Sequence, residues 1–418
     1  MAYKAFNPDF TCKGKHYKEN TTYKENGNEI CEAGVMHYCE NPFDVLDYYP
    51  LVNENGEISE FAEVEPLGKV FKRENKSATN KLHIKAKLGL KGFIKACIDF
   101  TLEKTKIEEI EDDIENDNNF AQIGSSGDSA QIGSSGNYAQ IGSSGDSAQI
   151  GSSGNSARIG SSGDSAQIGS SGNYAQIGSS GDSAQIGSSG NYAQIGSSGY
   201  SARIGSSGDS AQIGSSGNSA RIGSSGYSAQ IGSSGDSAQI GSSGNYAKIG
   251  SSGYSAQIGS SGDSAKIGSS GYSARIGSSG DSAQIGSSGY YAQIGSSGDY
   301  AQIGSSGYSA QIGSSGNYAQ IGSSGDSAQI GSSGNSAKIT SKGKHSVVMA
   351  AGYQSQAKAK KGSWITLAEW VRTDDKDEKG FCIWIPKCVK TEYVDGERIK
   401  EDTFYKLVDG EFKEAEEN

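Results

Sequence analysis

The sequence predicts a mainly β protein: a parallel β-solenoid with two nine-residue strands per coil and about 12 coils, an N-terminal α+β domain and a C-terminal β cap. Three observations support this prediction. The nonapeptide Ala-X-Ile-Gly-Ser-Ser-Gly-X-X runs through 24 uninterrupted copies over residues 121–336. Its variable positions alternate with a longer period of two nonapeptide units. The flanking segments carry the mixed apolar patterns of folded domains.

Each nonapeptide reads as one short strand followed by a turn. In an extended segment alternate side chains face one way, so Ala at position one and Ile at position three point inward. Position two, which is Gln, Arg or Lys, then points to water. The Gly-Ser-Ser-Gly stretch supplies the corner. Burying one Ile contributes about 1.5–3 kcal/mol, whereas ordering nine residues costs on the order of 10 kcal/mol. The array therefore depends on stacking many coils.

The variable positions predict that two units make one coil. Position eight alternates between Asp and Asn in the first eight units, beginning with Asp128 and Asn137. Later, Tyr254 and Tyr272 fall on alternate units with Asp263 between them. A single nonapeptide is too short to enclose an interior, whereas a pair of nonapeptides suffices for two strands and two corners.

Residues 1–105 are predicted to form a small α+β domain. Asn41 followed by Pro42 predicts a helix up to Tyr49, with Asn as its N-cap. A second, amphipathic helix is expected over residues 92–104. The acidic residues 106–120 are either a linker or a capping helix. Strands are expected at residues 61–65 and 81–84.

The solenoid is expected to extend over residues 121–345 and the β cap over residues 346–418. Strands are predicted at residues 364–370 and 380–390, which contain the three Trp residues. Hairpin turns are predicted at residues 394–397 and 409–410, where Asp-Gly pairs occur.

Charge and cysteine content limit the classes of partner and compartment. The net charge is −11 and the pI is near 5.0, which argues against nucleic acid or an anionic membrane as partner. All six cysteines lie outside the array and do not form a disulfide framework. No secretory signal and no long apolar run of membrane-spanning length is present. We therefore expect a cytoplasmic protein without a cofactor.

The variable positions of the array are the places where binding specificity could be encoded. We expect one solenoid face to contact a partner, most simply a protein. The tyrosines of the array could form a platform on which a glycan stacks. Alternatively, they only stack on one another along a corner of the solenoid. The candidate residues are Gln122, Arg158, Arg203, Arg221, Lys248, Lys266, Arg275, Tyr254, Tyr272, Tyr290 and Tyr308.

A basic collar follows the array. Residues 338–361 hold six lysines and no acidic residue, opposite in charge to the acidic residues 108–117. This asymmetry suggests either end-to-end association, and hence an oligomer, or solvated charge that prevents uncontrolled stacking. The collar consists of Lys338, Lys342, Lys344, Lys358, Lys360 and Lys361.

Metal binding is not expected. Cys31, His37 and Cys39 are weak zinc candidates, because their spacing matches no common zinc knuckle. In the array, Asp occurs at position eight in only 10 of 24 units, which does not fit a calcium-binding β-roll. The absence of Thr from the array argues against an ice-binding face.

Three resemblances bear on function. The strand DSAQIG at residues 128–133 resembles the head repeats of trimeric autotransporter adhesins, which are β-rolls that bind host matrix. The motifs YKAF (residues 3–6), CKG (12–14), CEAG (31–34) and HYCENPFDV (37–45) resemble an uncharacterised domain family of bacterial and phage proteins, in which the domain precedes Ser/Gly-rich nonapeptide arrays. Residues 34–49 are faintly similar to ADP-ribosyltransferases.

Three functions remain open from the sequence. The first is a non-enzymatic structural or binding rod in a bacterial or phage-infected cytoplasm. The second is an enzyme whose activity lies in residues 1–105, with the rod as spacer; a cleft joining His37 to Glu63 or Glu65 would favour it. The third is a surface adhesin, as the autotransporter resemblance implies.

Overall fold

The computed structural model describes residues 2–27, 34–53, 56–73, 76–104, 113–116 and 119–416. The fold is mainly β, with a parallel β-solenoid of about 14 turns over residues 122–367 and a small N-terminal domain. This confirms the predicted fold class. The chain divides into two compact units, residues 1–239 and 240–418, and each is described by itself.

The N-terminal domain of the first unit contains a four-stranded sheet, a three-stranded sheet and a short two-stranded ladder. The strands are β1 (Ala2–Phe6), β2 (Thr11–Cys12), β3 (Lys15–His16), β4 (Thr21–Lys24), β5 (Met36–Tyr38), β6 (Glu60–Pro66), β7 (Val70–Arg73), β8 (Lys76–Thr79) and β9 (Lys81–Lys87). The strand orders in the three sheets are β1-β6-β9-β4, β5-β8-β7 and β2-β3.

Two helices in this domain confirm the sequence predictions. A 3-10 helix spans Pro42–Asp47, and the Asn41 side chain accepts a hydrogen bond of 3.1 Å from the Phe43 N–H at its start. Helix α1 spans Gly89–Lys104. It packs on β6 through Phe93, whose ring stacks on Phe61 at 3.9 Å between centroids.

Two sheets lie back to back in the solenoid because successive nonapeptides alternate between them. Sheet A of the first unit contains β11 (Gln122–Ser125), β13 (Gln140–Ser143), β15 (Arg158–Ser161), β17 (Gln176–Ser179), β19 (Gln194–Ser197), β21 (Gln212–Ser215) and β23 (Gln230–Ser233). Sheet B of the first unit contains β10 (Asp113–Asn116), β12 (Gln131–Ser134), β14 (Gln149–Ser152), β16 (Gln167–Ser170), β18 (Gln185–Ser188), β20 (Arg203–Ser206) and β22 (Arg221–Ser224). Strand β24 is Gln239–Ser242.

Within the segment expected to be a linker or capping helix, residues 113–116 form β10 instead. This strand pairs in parallel with β12, so that Ile114 is in register with Ile132. The segment therefore continues the repeat phase one unit before the array. Residues 105–112, 117 and 118 lie outside the described residues.

The interior of the coil is formed by three positions of each repeat. Ala at position one and Ile at position three are buried along the array, as predicted. Ser at position five is also buried, because the strand covers positions two to five. The prediction that all of Gly-Ser-Ser-Gly forms the corner is therefore wrong for its first Gly and Ser, which extend the strand. Isoleucines of alternate units are in register, such as Ile132 and Ile150.

The two corners of each coil differ, which explains the two-unit period of the sequence. At one corner the Asn137 side chain accepts a hydrogen bond of 2.9 Å from the Asn155 N–H in the next coil. Position nine at this corner has φ near +60°, as at Tyr138. At the other corner a backbone bond of 2.7 Å joins the Ser147 N–H to the Asp128 carbonyl. In these coils the side-chain acceptor at position eight serves the first corner, whereas in residues 240–418 Asp326 supplies such an acceptor to the Lys344 N–H at a corner of the other series.

The second unit by itself has the same two-sheet arrangement. Its sheet A contains β25 (Lys248–Ser251), β27 (Lys266–Ser269), β29 (Gln284–Ser287), β31 (Gln302–Ser305), β33 (Gln320–Ser323), β35 (Lys338–Ser341), β37 (Gln356–Lys358), β40 (Tyr405–Val408) and β41 (Glu411–Glu414). Its sheet B contains β26 (Gln257–Ser260), β28 (Arg275–Ser278), β30 (Gln293–Ser296), β32 (Gln311–Ser314), β34 (Gln329–Ser332), β36 (Val347–Ala350), β38 (Trp364–Lys376) and β39 (Cys382–Tyr393).

Two antiparallel hairpins end these sheets. Strands β38 and β39 pair over most of their length, and β40 and β41 pair around the Asp409–Gly410 turn, as predicted. The hairpin predicted at residues 394–397 is wrong. There the Asp395 side chain accepts backbone N–H groups of Glu397 and Ile399, and the chain continues as a loop to β40.

We expect position seven to tolerate no side chain, because it contacts the preceding coil. A Cβ on Gly145 would lie 1.8 Å from the Gly127 carbonyl oxygen, whereas a Cβ on Gly169, at position four, would meet nothing within 4 Å. Gly145→Ala should therefore cost about 1–3 kcal/mol of stability. Gly169→Ala should change it by less than about 0.5 kcal/mol. Urea unfolding followed by circular dichroism measures both; equal midpoints would contradict the close coil contact.

Candidate functional site

The outer face of sheet A in the first unit is covered by the N-terminal domain. Helix α1 lies along the column of position-four glycines. A Cβ on Gly160 would lie 2.9 Å from Ile98, and one on Gly178 would lie 3.4 Å from Ile94. Because Gly has no side chain, the column forms a groove that accepts these isoleucines.

A loop after the 3-10 helix extends this contact along the same column. A Cβ on Gly214 would lie 3.5 Å from Leu51, and one on Gly232 would lie 2.6 Å from the Gly56 carbonyl oxygen. The side-chain amide of Gln230 is 3.2 Å from the carbonyl oxygen of Val52. The N-terminal domain is thus packed against the solenoid within this unit.

An ion pair joins the two parts of the first unit. Arg158 bonds the Asp44 carboxylate at 2.8 Å, and its guanidinium lies 5.6 Å from the Phe43 ring centroid. Burial raises the pKa of Asp44 above its ordinary value, although the Arg158 charge opposes this rise. Arg158, a candidate for partner binding, therefore contacts the protein's own N-terminal domain.

The other predicted binding residues do not share one face. Arg203 and Arg221 are neighbours in register on sheet B of the first unit. Lys248 and Lys266 are neighbours on sheet A of the second unit. Gln122 begins β11 in sheet A, and Arg275 begins β28 in sheet B.

Four predicted tyrosines form a stacked ladder at a corner of the second unit. Ring centroids are 5.1 Å apart for Tyr254 and Tyr272, 5.4 Å for Tyr272 and Tyr290, and 4.9 Å for Tyr290 and Tyr308. The pKa of Tyr272 and that of Tyr290 are raised, chiefly because the packed rings exclude water and secondly because other phenols lie beside them. A sugar ring binds by stacking on the face of an aromatic ring. In this ladder the inner ring faces already cover one another, so they are not accessible to a sugar.

The outer face of sheet B in the first unit carries an open groove. It is lined by the Gly, Ser and Ser of positions four to six in six successive strands. Cβ atoms built on Gly169, Gly187 and Gly205 would meet nothing within 4 Å. The described residues that line this groove include no ionisable side chain. The lining residues are 133–135, 151–153, 169–171, 187–189, 205–207 and 223–225.

The candidates in the N-terminal domain lie on different strands. Glu63 and Glu65 both lie near Lys85, with N–O distances of 3.4 and 3.7 Å. His37 is on β5 in the other sheet. Burial raises the pKa of the Cys39 thiol to about 12, which disfavours a metal-binding thiolate. Cys31 lies outside the described residues, among which no metal-binding group of three or more side chains occurs.

A buried polar cluster in this domain was not predicted from the sequence. Lys4 is buried, and its Nζ donates a 2.9 Å hydrogen bond to the His37 carbonyl oxygen. Burial lowers the pKa of Lys4. Nearby, the Tyr49 hydroxyl donates to the Cys12 sulfur at 3.1 Å. The sequence around Lys4 has no feature that distinguishes a buried lysine from an exposed one.

The basic collar is partly neutralised by the loop between β39 and β40 of the second unit. Lys360 pairs with Asp402 at 2.6 Å and with Glu401 at 3.6 Å. Lys358 lies 4.3 Å from the Phe404 ring centroid. Lys338, Lys342, Lys344 and Lys361 complete the collar, and the Lys344 N–H donates to the Asp326 side chain at a corner.

Comparison with known proteins gives one match. The family described as "Domain of unknown function (DUF7666)" matches residues 1–96, which end within α1. No curated protein and no solved structure matches the chain. The match agrees with an uncharacterised domain at this end of the chain and does not extend to the repeats. No helix in the described ranges has the length and apolar character needed to cross a membrane.

We expect Arg158→Gln to weaken the contact between the N-terminal domain and sheet A, because it leaves the Asp44 carboxylate buried without its counter-charge. The pKa of Asp44 should rise further above its ordinary value. Since a raised carboxyl pKa favours the protonated folded form, this contact should weaken as the pH rises through that pKa. Carbon-13 NMR titration of labelled aspartates measures the pKa, and hydrogen exchange of α1 measures the contact.

Two further variants separate charge from packing. Asp44→Asn combined with Arg158→Gln should restore much of the α1 protection, because no buried charge remains. Arg203→Gln, the same change on the open sheet B, should leave both readouts unchanged. An unaltered Asp44 pKa in Arg158→Gln would contradict the assigned ion pair.

Proposed function

We propose that this chain is a non-catalytic binding scaffold of bacterial or phage origin, and that the open groove of sheet B in residues 1–239 holds a protein partner. The observation that carries the proposal is the uninterrupted Gly-Ser-Ser lining over six strands. The bacterial or phage origin is supported by the resemblance of the motifs in residues 3–45, and we propose a cytoplasmic location for the chain.

The chemistry of the groove favours binding over catalysis. Its lining offers backbone groups and serine hydroxyls, with no acid, base or metal ligand among the lining residues. General acid–base and metal-assisted reactions need such groups. A regular row of small residues instead allows a partner backbone or side chain to approach closely along several coils.

The covered sheet of the same unit indicates what kind of partner fits. On sheet A, the position-four glycines receive Ile94 and Ile98 from one helix. The open column of sheet B has the same residues at the same spacing. We therefore expect a protein element with apolar residues in a row, such as one edge of a helix. Arg203 and Arg221 stand beside the groove, where they can anchor carboxylates of the partner.

The test places a photo-reactive cross-linking residue in the groove. Position 189 lines the groove, and position 288 is its equivalent on sheet A of the second unit. In cells that produce the natural chain, we expect full-length protein to give one discrete cross-linked protein from position 189 and none from position 288.

The arginines provide a matched control. Arg203→Ala with Arg221→Ala should lower the cross-linking yield from position 189, whereas Arg275→Ala should not. Equal cross-linking from positions 189 and 288, or no cross-linked protein from position 189, would refute the proposal.

A further inference from the structure

Both sheets of the second unit end in a strand with a free edge. Strand β39 is the last strand of sheet B, and β41 is the last strand of sheet A. In the described residues each has only one partner strand. Half of the backbone N–H and C=O groups of such a strand point away from its partner. A free edge is therefore a template for pairing with another chain.

An exposed apolar patch lies beside the edge of β39. Strand pairing places Val347, Trp364 and Tyr393 side by side, with Met349 and Val389 on the same outer face. These five side chains are 42–57 % exposed. Val347 and Met349 stand in register with a Gln and a Gly of the array. The last turns thus carry apolar residues where the array carries Gln and Gly. Clustered apolar exposure of this kind marks an interaction surface.

We propose that two copies of this chain associate through their C-terminal ends, with β39 pairing antiparallel to the partner's β39 and β41 to the partner's β41. A two-fold axis perpendicular to the sheets generates both pairings at once, because the two sheets of one coil lie back to back. Such an interface uses the same surface on each copy and closes as a dimer.

The sequence of β39 is complementary to itself in this arrangement. With the axis at Thr391, Lys390 lies opposite the partner's Glu392, and Val389 lies opposite the partner's Tyr393. Opposite charges and aromatic–aliphatic pairs both stabilise neighbouring strands. Pro386 ends the pairing segment, because its ring nitrogen carries no N–H group.

The sequence of β41 is complementary to itself as well. With the axis at Phe412, Glu411 lies opposite the partner's Lys413, and the two Phe412 side chains lie opposite each other. Pairing on both edges brings the apolar patches of the two copies together across the axis. Because each paired segment is short, we expect a reversible dimer rather than an obligate one.

Charge exchange on β41 tests the proposal with full-length protein. Lys413→Glu and Glu411→Lys each place like charges opposite one another twice per dimer, so each should weaken dimerisation by about tenfold. The double variant restores opposite charges and should recover the dimer. Sedimentation velocity over a range of protein concentrations measures the dissociation constant.

A second pair of variants tests the β39 edge. Val389→Lys should weaken the dimer, because it removes the aliphatic partner of Tyr393 from both cross-strand pairs. Val371→Lys, at an exposed apolar position beyond the pairing segment of the same hairpin, should leave it intact. Circular dichroism checks that each variant is folded. A chain that is monomeric at every concentration, or a dimer unaffected by the single charge changes, would overturn the proposal.

Discussion

The structure depends on each residue of the array lying against its counterpart two units earlier in the chain. This stacking sets the distance between coils, aligns the isoleucines and forms the backbone hydrogen bonds between neighbouring coils. The contact between Gly145 and the Gly127 carbonyl shows how little space the stacking leaves. One Ile per strand cannot stabilise a strand alone, so the stability of every coil resides in its neighbours.

Identical repeats acquire different roles through what covers them. Gly160 and Gly169 occupy the same position of the nonapeptide, yet one lies under Ile98 and the other faces solvent. Arg158 and Arg203 likewise occupy the same position, and only Arg158 meets a carboxylate of the N-terminal domain. In the first unit, the role of each repeat is therefore determined by whether the N-terminal domain covers it.

The solenoid could be predicted from the sequence because strict repetition forces equivalent residues into equivalent environments. Two strands per coil could be predicted from position eight, because its residue types alternate between the two series of corners. The covered face could not be predicted, because 24 nearly identical units give no indication of which glycines are buried by another domain. The burial of Lys4 was also hidden, since it depends on contacts between distant strands. At residues 394–397 the Asp-Gly pair correctly indicated a turn, but the next strand, β40, pairs with β37 and β41 rather than with β39, so no hairpin forms.

The unequal corners restrict how such an array can change length. Losing one nonapeptide would exchange the two corner types for every later unit. Tyr254 and Tyr272 would then move from their stacked ladder to the corner where Asn137 and Asn155 supply acceptors. Tyr227 already occupies position eight of that corner, where its N–H donates to the Asp209 side chain. Gain or loss of two units keeps every corner in place. Recombination between repeats therefore preserves the tyrosine ladder and the corner hydrogen bonds best when it adds or removes whole coils.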